Sequence, residues 1–185
     1  MTKYSIFASR HNRQVSLRLA SYRYISLGQV TSGPEFSGDT LRIVYTNGDV
    51  CSSNKTRKYS TVITFRCDSN AAVRSLPVVV ETEESCTVQM LWVTKAACAI
   101  GQSDSESMPS SPCTVTNPAS QHVFNLSSLA SSTFYDVYGS GKHSYHINIC
   151  KKVVDTQCSG NTGTKLQSAS FVLCAMQLPD YNAVT

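Results

Sequence analysis

No run of apolar residues approaches the roughly 18 that a membrane-spanning helix requires, so the chain is expected to be soluble, or the soluble part of something longer. There is no close Cys-x-x-Cys pair, which removes the usual zinc-ribbon and thiol-redox signatures. There is no G-x-S-x-G elbow, and no histidine is evidently paired with a nucleophile. Charged residues are scarce at 15%. No segment keeps a 3.6-residue apolar period long enough for a helix of more than a turn or two.

The formal charge of +4 is confined to one end. Lys3, Arg10, Arg13, Arg18 and Arg23 fall in the first 34 residues, which contain no acid. The remaining 11 basic residues face 12 acidic ones, so the folded part carries no basic stripe and nucleic acid is a poor partner for it. Residues 1–27 form an atypical basic segment. It lacks the apolar core of a secretory signal, and although Arg- and Ser-rich like a transit peptide, it precedes cysteines that argue against a mitochondrial matrix protein. It is expected to run into the strand-like stretch SYRYISLG, which belongs to the fold.

What the chain does have is eight cysteines in two quartets, Cys51, Cys67, Cys86, Cys98 and Cys113, Cys150, Cys158, Cys174. An even count separated by strand-like sequence points to a disulfide framework and an oxidising compartment. The intervening pattern is all-β. TLRIVYT alternates Leu41, Ile43 and Tyr45 with polar neighbours, and Asn47-Gly48 predicts a tight hairpin turn before Cys51. STVITFRC alternates, LPVVVE reads as a short buried run, and CTVQMLWVT puts Val88, Met90 and Trp92 on one face. Residues 101–112, dense in Ser and Pro, read as a linker. Beyond it HVFNLSSL, TFYDVYG, SYHINIC and SASFVLC are strand or strand-edge candidates.

The short patterns that invite a catalytic reading fail on inspection. Gly139 to Ser144 resembles a phosphate loop, but Asp136 stands where the first glycine is needed and His143 where a Ser or Thr is needed. His143 and His146, three apart in a strand, project to opposite faces, which disfavours a metal site. Glu81, Glu83 and Glu84 read as a solvated acidic loop. No catalytic residue, metal ligand or cofactor is expected, and the chain is not expected to be an enzyme. Asn54-Lys55-Thr56 and Asn125-Leu126-Ser127 fit the N-glycosylation acceptor, making Asn54 and Asn125 candidate glycan sites.

The words VYTNGDVC, KYSTVITFRC, SCTVQMLWVTKAAC, CTVTNPASQHVFNLSSL and YHINIC together resemble the extracytoplasmic repeats of the cation-independent mannose 6-phosphate receptor family, also the insulin-like growth factor II receptor. The resemblance covers about residues 28–185. It implies a disulfide-rich flattened β-barrel of two crossed sheets, with 28–100 as the C-terminal half of one repeat and 113–185 as the N-terminal half of the next. It also implies the pairing Cys51–Cys86, Cys67–Cys98, Cys113–Cys150 and Cys158–Cys174. Such loops, of roughly 16 to 37 residues, are each worth about 3 to 4 kcal/mol in the chain-entropy model.

Sugar-binding repeats of this family hold mannose with a Gln, an Arg, a Glu and a Tyr. At the Arg position this sequence has Tyr59 and at the Tyr position Val88. Arg57, Glu81 and Glu83 are near but out of register, and Gln177 could serve as the Gln of a following repeat. Losing such partners costs a polar site orders of magnitude in affinity. The resemblance therefore implies a fragment of a multi-repeat sorting receptor for lysosomal hydrolases that also binds insulin-like growth factor II. This stretch is expected to be a spacer or protein-contact region beside neighbouring repeats, in the lumenal or extracellular part of a Golgi, endosome and cell-surface receptor, with no membrane contact of its own. The alternative is a secreted lectin-like or scaffold protein made of the same modules. Each half-repeat alone would leave an apolar sheet face uncovered, unless the two halves fold onto each other as a permuted repeat.

Overall fold

The structure is a computed structural model and describes residues 23–30, 32–81, 83–100, 113–139, 143–151, 153 and 171–177. The segments 1–22 and 101–112 lie outside the described residues. Eleven strands and three short 3-10 turns make up the secondary structure described. The first half supplies β1 (Arg23–Val30), β2 (Glu35–Ser37), β3 (Thr40–Thr46), β4 (Ser60–Cys67), β5 (Val78–Glu81) and β6 (Thr87–Thr94). The second supplies β7 (Thr114–Thr116), β8 (Val123–Asn125), β9 (Tyr135–Tyr138), β10 (His143–Ile147) and β11 (Phe171–Gln177).

The three alternating stretches of the first half fold as their period dictates. Leu41, Ile43 and Tyr45 on β3, Ile63 and Phe65 on β4, and Val88, Met90 and Trp92 on β6 are all buried, while their neighbours are not. β3 pairs with β4 antiparallel, whereas β4 and β6 run parallel from Ser60 opposite Thr87 to Cys67 opposite Thr94. The excursion through β5 between them makes that parallel pairing possible.

One sheet of nine strands runs through both halves, in the order β5-β6-β4-β3-β1-β11-β10-β9, with β2 added on β3. The junction is β1, hydrogen-bonded to β3 on one side and to β11 on the other. This strand begins at Arg23, ahead of the boundary expected at 28. The sheet curls until β5, at one end, approaches β9, at the other, giving the flattened barrel expected of the family. β7 and β8 form a separate two-stranded ladder, which Ile100 joins through its bond to Val123 O.

A single apolar core fills the barrel. Leu27, Tyr59, Ile63 and Trp92 from the first half are buried with Leu126, Leu129, Tyr145 and Ile147 from the second. Across it the Tyr45 hydroxyl donates to Asn148 O at 3.0 Å. The two halves thus cover each other's apolar faces within one molecule.

Two readings of the sequence are corrected. Asn47 does take a positive φ of 59°, but Gly48 does not, and no two-residue hairpin forms. The turn instead docks on β1 at the bulge between Ser26 and Gly28: Ser26 N donates to Asp49 Oδ2 and Asp49 N to Ser26 O, both at 2.8 Å. Gly48 is required there because a Cβ would stand 2.5 Å from Ser26 O. The chain then makes an excursion to Tyr59 before β4 begins. The second correction concerns LPVVVE. It forms an edge strand, with Val78 66% and Val80 67% exposed, because an apolar run is buried only where something covers both faces.

Candidate functional site

Tyr59 and Val88, at the positions where the resemblance points to polar ligand contacts, sit close together inside the barrel. Thr61 and Val88 are partners in the β4–β6 ladder, and Tyr59 lies just before β4. Val88 is fully buried and Tyr59 nearly so. The Tyr59 hydroxyl accepts from Ser52 N at 2.9 Å and exchanges a second bond with Ser52 Oγ at 2.8 Å. Thr61 Oγ1 donates to Leu27 O at 3.2 Å. The Tyr59 and Thr61 hydroxyls are therefore satisfied by the protein itself.

The nearby polar residues do not converge either. Arg57 is exposed and reaches Ser85 O at 3.5 Å, while Glu81, on the edge strand, accepts from Gln89 Nε2. Glu84 is exposed in the short turn Glu83–Ser85. Gln177 ends β11, its backbone opposite Arg23 and His143; its side chain lies outside what is described, as do the side chains of Glu83 and His143. Among the described residues no group of three or more His, Cys, Asp and Glu is placed to hold a metal ion.

Three disulfides are described: Cys51–Cys86, Cys67–Cys98 and Cys113–Cys150, with Cα atoms 5.5, 4.5 and 5.6 Å apart. Cys158 and the Cys174 side chain lie outside the described residues. The motif words around these cysteines have structural work. Thr94 Oγ1 donates to Val73 O at 2.7 Å, accepts from Ala96 N at 3.2 Å and so starts the turn Lys95–Ala97 that delivers Cys98 to Cys67. Asn117 is buried, and its Oδ1 accepts from Ala119 N at 2.8 Å and Ser120 N at 3.2 Å, which shapes the turn into β8.

Polar residues gather in the second half, among them His146 and Asp136, which the sequence singles out, and Asn148, which it does not. Asn148 is almost fully buried: its Oδ1 accepts from Ser131 N at 3.0 Å and its Nδ2 donates to Ser131 O and Thr133 O. A lone Asn in the apolar stretch of SYHINIC was the available signal. The His146 ring stacks on Phe134, centroids 4.2 Å apart, with Nε2 3.7 Å from Asp136 Oδ1. The other carboxylate oxygen of Asp136 accepts from the Tyr138 hydroxyl at 2.7 Å. That bond and the carboxylate's charge hold the exposed Tyr138 phenol above its usual range.

Among the described residues several large apolar side chains face solvent. Val73, Leu76, Val78 and Val80 are exposed on and before edge strand β5, and Tyr138 is exposed on β9, the strand β5 approaches.

Residues 56–173 match the family model described as the cation-independent mannose-6-phosphate receptor repeat. The human cation-independent mannose-6-phosphate receptor is 32% identical over 132 residues, 71% of this chain but 5% of the receptor. Among solved structures, domain 11 of the echidna mannose 6-phosphate/insulin-like growth factor II receptor is 34% identical, with a TM-score of 0.37 over 41% of this chain and 55% of that one. Domain 11 of the chicken insulin-like growth factor II receptor is 29% identical, with a TM-score of 0.34 over 37% and 47%. The chain thus spans a small fraction of the curated relative's length, and it belongs to the cation-independent mannose-6-phosphate receptor repeat family.

Proposed function

We propose that this chain is a lumenal, non-sugar-binding portion of a multi-repeat sorting receptor that carries lysosomal hydrolases between Golgi, endosome and cell surface and also binds insulin-like growth factor II. In this reading the chain joins the C-terminal half of one repeat to the N-terminal half of the next. It acts as a spacer or protein-contact region, while hydrolases and the growth factor are engaged elsewhere in the parent. The observation that carries the reading is the burial of Tyr59 and Val88, where sugar-binding relatives need polar contacts. Family membership and three disulfides support the receptor module and its oxidising compartment. No helix among the described residues is long and apolar enough to cross a membrane.

The test is binding of the disulfide-bonded protein to immobilised glycans bearing mannose 6-phosphate at neutral pH. No retention is expected; retention competed by free mannose 6-phosphate would overturn the reading. A Tyr59→Arg, Val88→Tyr pair is expected to lose stability rather than gain the sugar, because it places a charge and a larger ring in a filled core.

A further inference from the structure

We infer that Asn54 carries an N-linked glycan and that Asn125, despite an equally good acceptor triplet, does not; the inference rests on the lumenal reading above. The seven residues from Ser52 to Lys58 are all exposed, between buried Cys51 and buried Tyr59. They form a loop whose base is closed by the Val50–Lys58 bridge, by Cys51 N donating to Arg57 O at 2.9 Å and by the Cys51–Cys86 disulfide. Arg57 N donates to Asn54 O at 3.0 Å, so Asn54 opens the turn at the tip.

The side chain is arranged so that modification costs the fold nothing. Asn54 Oδ1 accepts from Thr56 N at 3.0 Å and from Thr56 Oγ1 at 2.7 Å. Both bonds use the amide oxygen, and Nδ2 donates to no described residue. A sugar on that nitrogen projects into solvent and keeps both oxygen bonds. Asn125 shares one of these bonds, its Oδ1 accepting from Ser127 N at 2.9 Å, but differs in its setting. It lies within β8, paired with Thr114, is only half exposed, and precedes the fully buried Leu126. A glycan there would press on the β7–β8 ladder, so chains that carried it would fold less readily.

In the reaction, the Asn54 Nδ2 attacks the anomeric carbon of an oligosaccharide carried on a polyprenyl pyrophosphate. A C–N bond forms, the C–O bond to the pyrophosphate breaks, and Nδ2 gives up one proton to the transferase. No oxidant or reductant is involved. The product fixes a bulky hydrophilic group beside the Cys51–Cys86 disulfide.

The experiment is secretion of the full chain from animal cells behind a heterologous signal, followed by peptide N-glycosidase treatment, intact mass measurement and thiol counting. One glycan is expected, lost in Asn54→Gln and Thr56→Ala, retained in Asn125→Gln, and restored by Thr56→Ser, which keeps the acceptor hydroxyl. Glycan lost in Asn125→Gln but kept in Asn54→Gln overturns the assignment. Disulfide-bonded protein without glycan also overturns it while leaving the lumenal reading intact. Protein with free thiols and no glycan overturns both.

Discussion

The indole of Trp92 on β6 meets the ring of Tyr135 on β9 edge-on, with centroids 5.0 Å apart and planes at 84°. One residue lies within the span of the first cysteine quartet and the other within that of the second. Trp92 is further held by stacking on Phe65 and by donating to Ser75 Oγ at 3.1 Å, while the Tyr135 hydroxyl donates to Leu129 O at 2.9 Å. This geometry is the favoured arrangement for aromatic pairs and contributes about 0.5 to 1.5 kcal/mol beyond area burial.

Trp92 is the single tryptophan of the chain, so its fluorescence reports on both halves at once. Ile147→Ala, a change confined to the second half, should lower stability by about 2 to 5 kcal/mol. The denaturant midpoint seen by Trp92 is expected to fall together with the one seen by far-ultraviolet circular dichroism. An unchanged Trp92 midpoint would mean that the halves unfold independently.

Gly48→Ala should destabilise by about 1 to 3 kcal/mol, because the added carbon meets β1 backbone atoms that cannot yield cheaply. Gly38 provides the contrast: it has φ of 60°, but a methyl group added there would have nothing within 4 Å, so Gly38→Asn should cost little. Chemical melts of the two variants decide the matter, and equal losses would remove the close-approach explanation.

Alkali should unfold the protein through Tyr45. Complete burial raises its phenol well above the ordinary 10.0, and burial likewise raises Tyr135, with Arg74 partly opposing. Above pH 10 the unfolded chain loses protons that the native state keeps, so stability falls as pH rises through that range. Absorbance titration near 295 nm should show Tyr45 ionising together with loss of structure, and Tyr45→Phe should flatten the alkaline limb. A reversible Tyr45 titration in folded protein would refute this.

Non-reducing peptide mapping is expected to recover Cys51–Cys86, Cys67–Cys98 and Cys113–Cys150, and Cys158–Cys174 as the fourth pair. The double change Cys67→Ala, Cys98→Ala should cost about 3 to 4 kcal/mol. A Cys98–Cys113 peptide would contradict the pairing within quartets.

Strands β3, β4 and β6 were legible because each has one buried face, and a period of two survives in the residue order. The edge position of β5 was not, since Val78 to Val80 look the same whether a second layer covers them or solvent does. Asn47-Gly48 carried a genuine turn preference, but the competing close approach to Ser26 is a fact about a strand more than twenty residues away. Pairing of β1 with β11 joins residues well over a hundred positions apart, and no local pattern encodes it. At the candidate site, the departures at 59 and 88 were readable from the family words, whereas the hydrogen bonds that fill the place, such as Tyr59 to Ser52, depend on the folded geometry. Asn54 and Asn125 were indistinguishable as triplets and differ only in their surroundings.

The ladder between β1 and β11 sets Arg23 directly opposite Gln177. Residues 23 and 177 therefore sit at the same end of an antiparallel ladder, so tension applied between them would peel these strands apart bond by bond instead of loading all the bonds together.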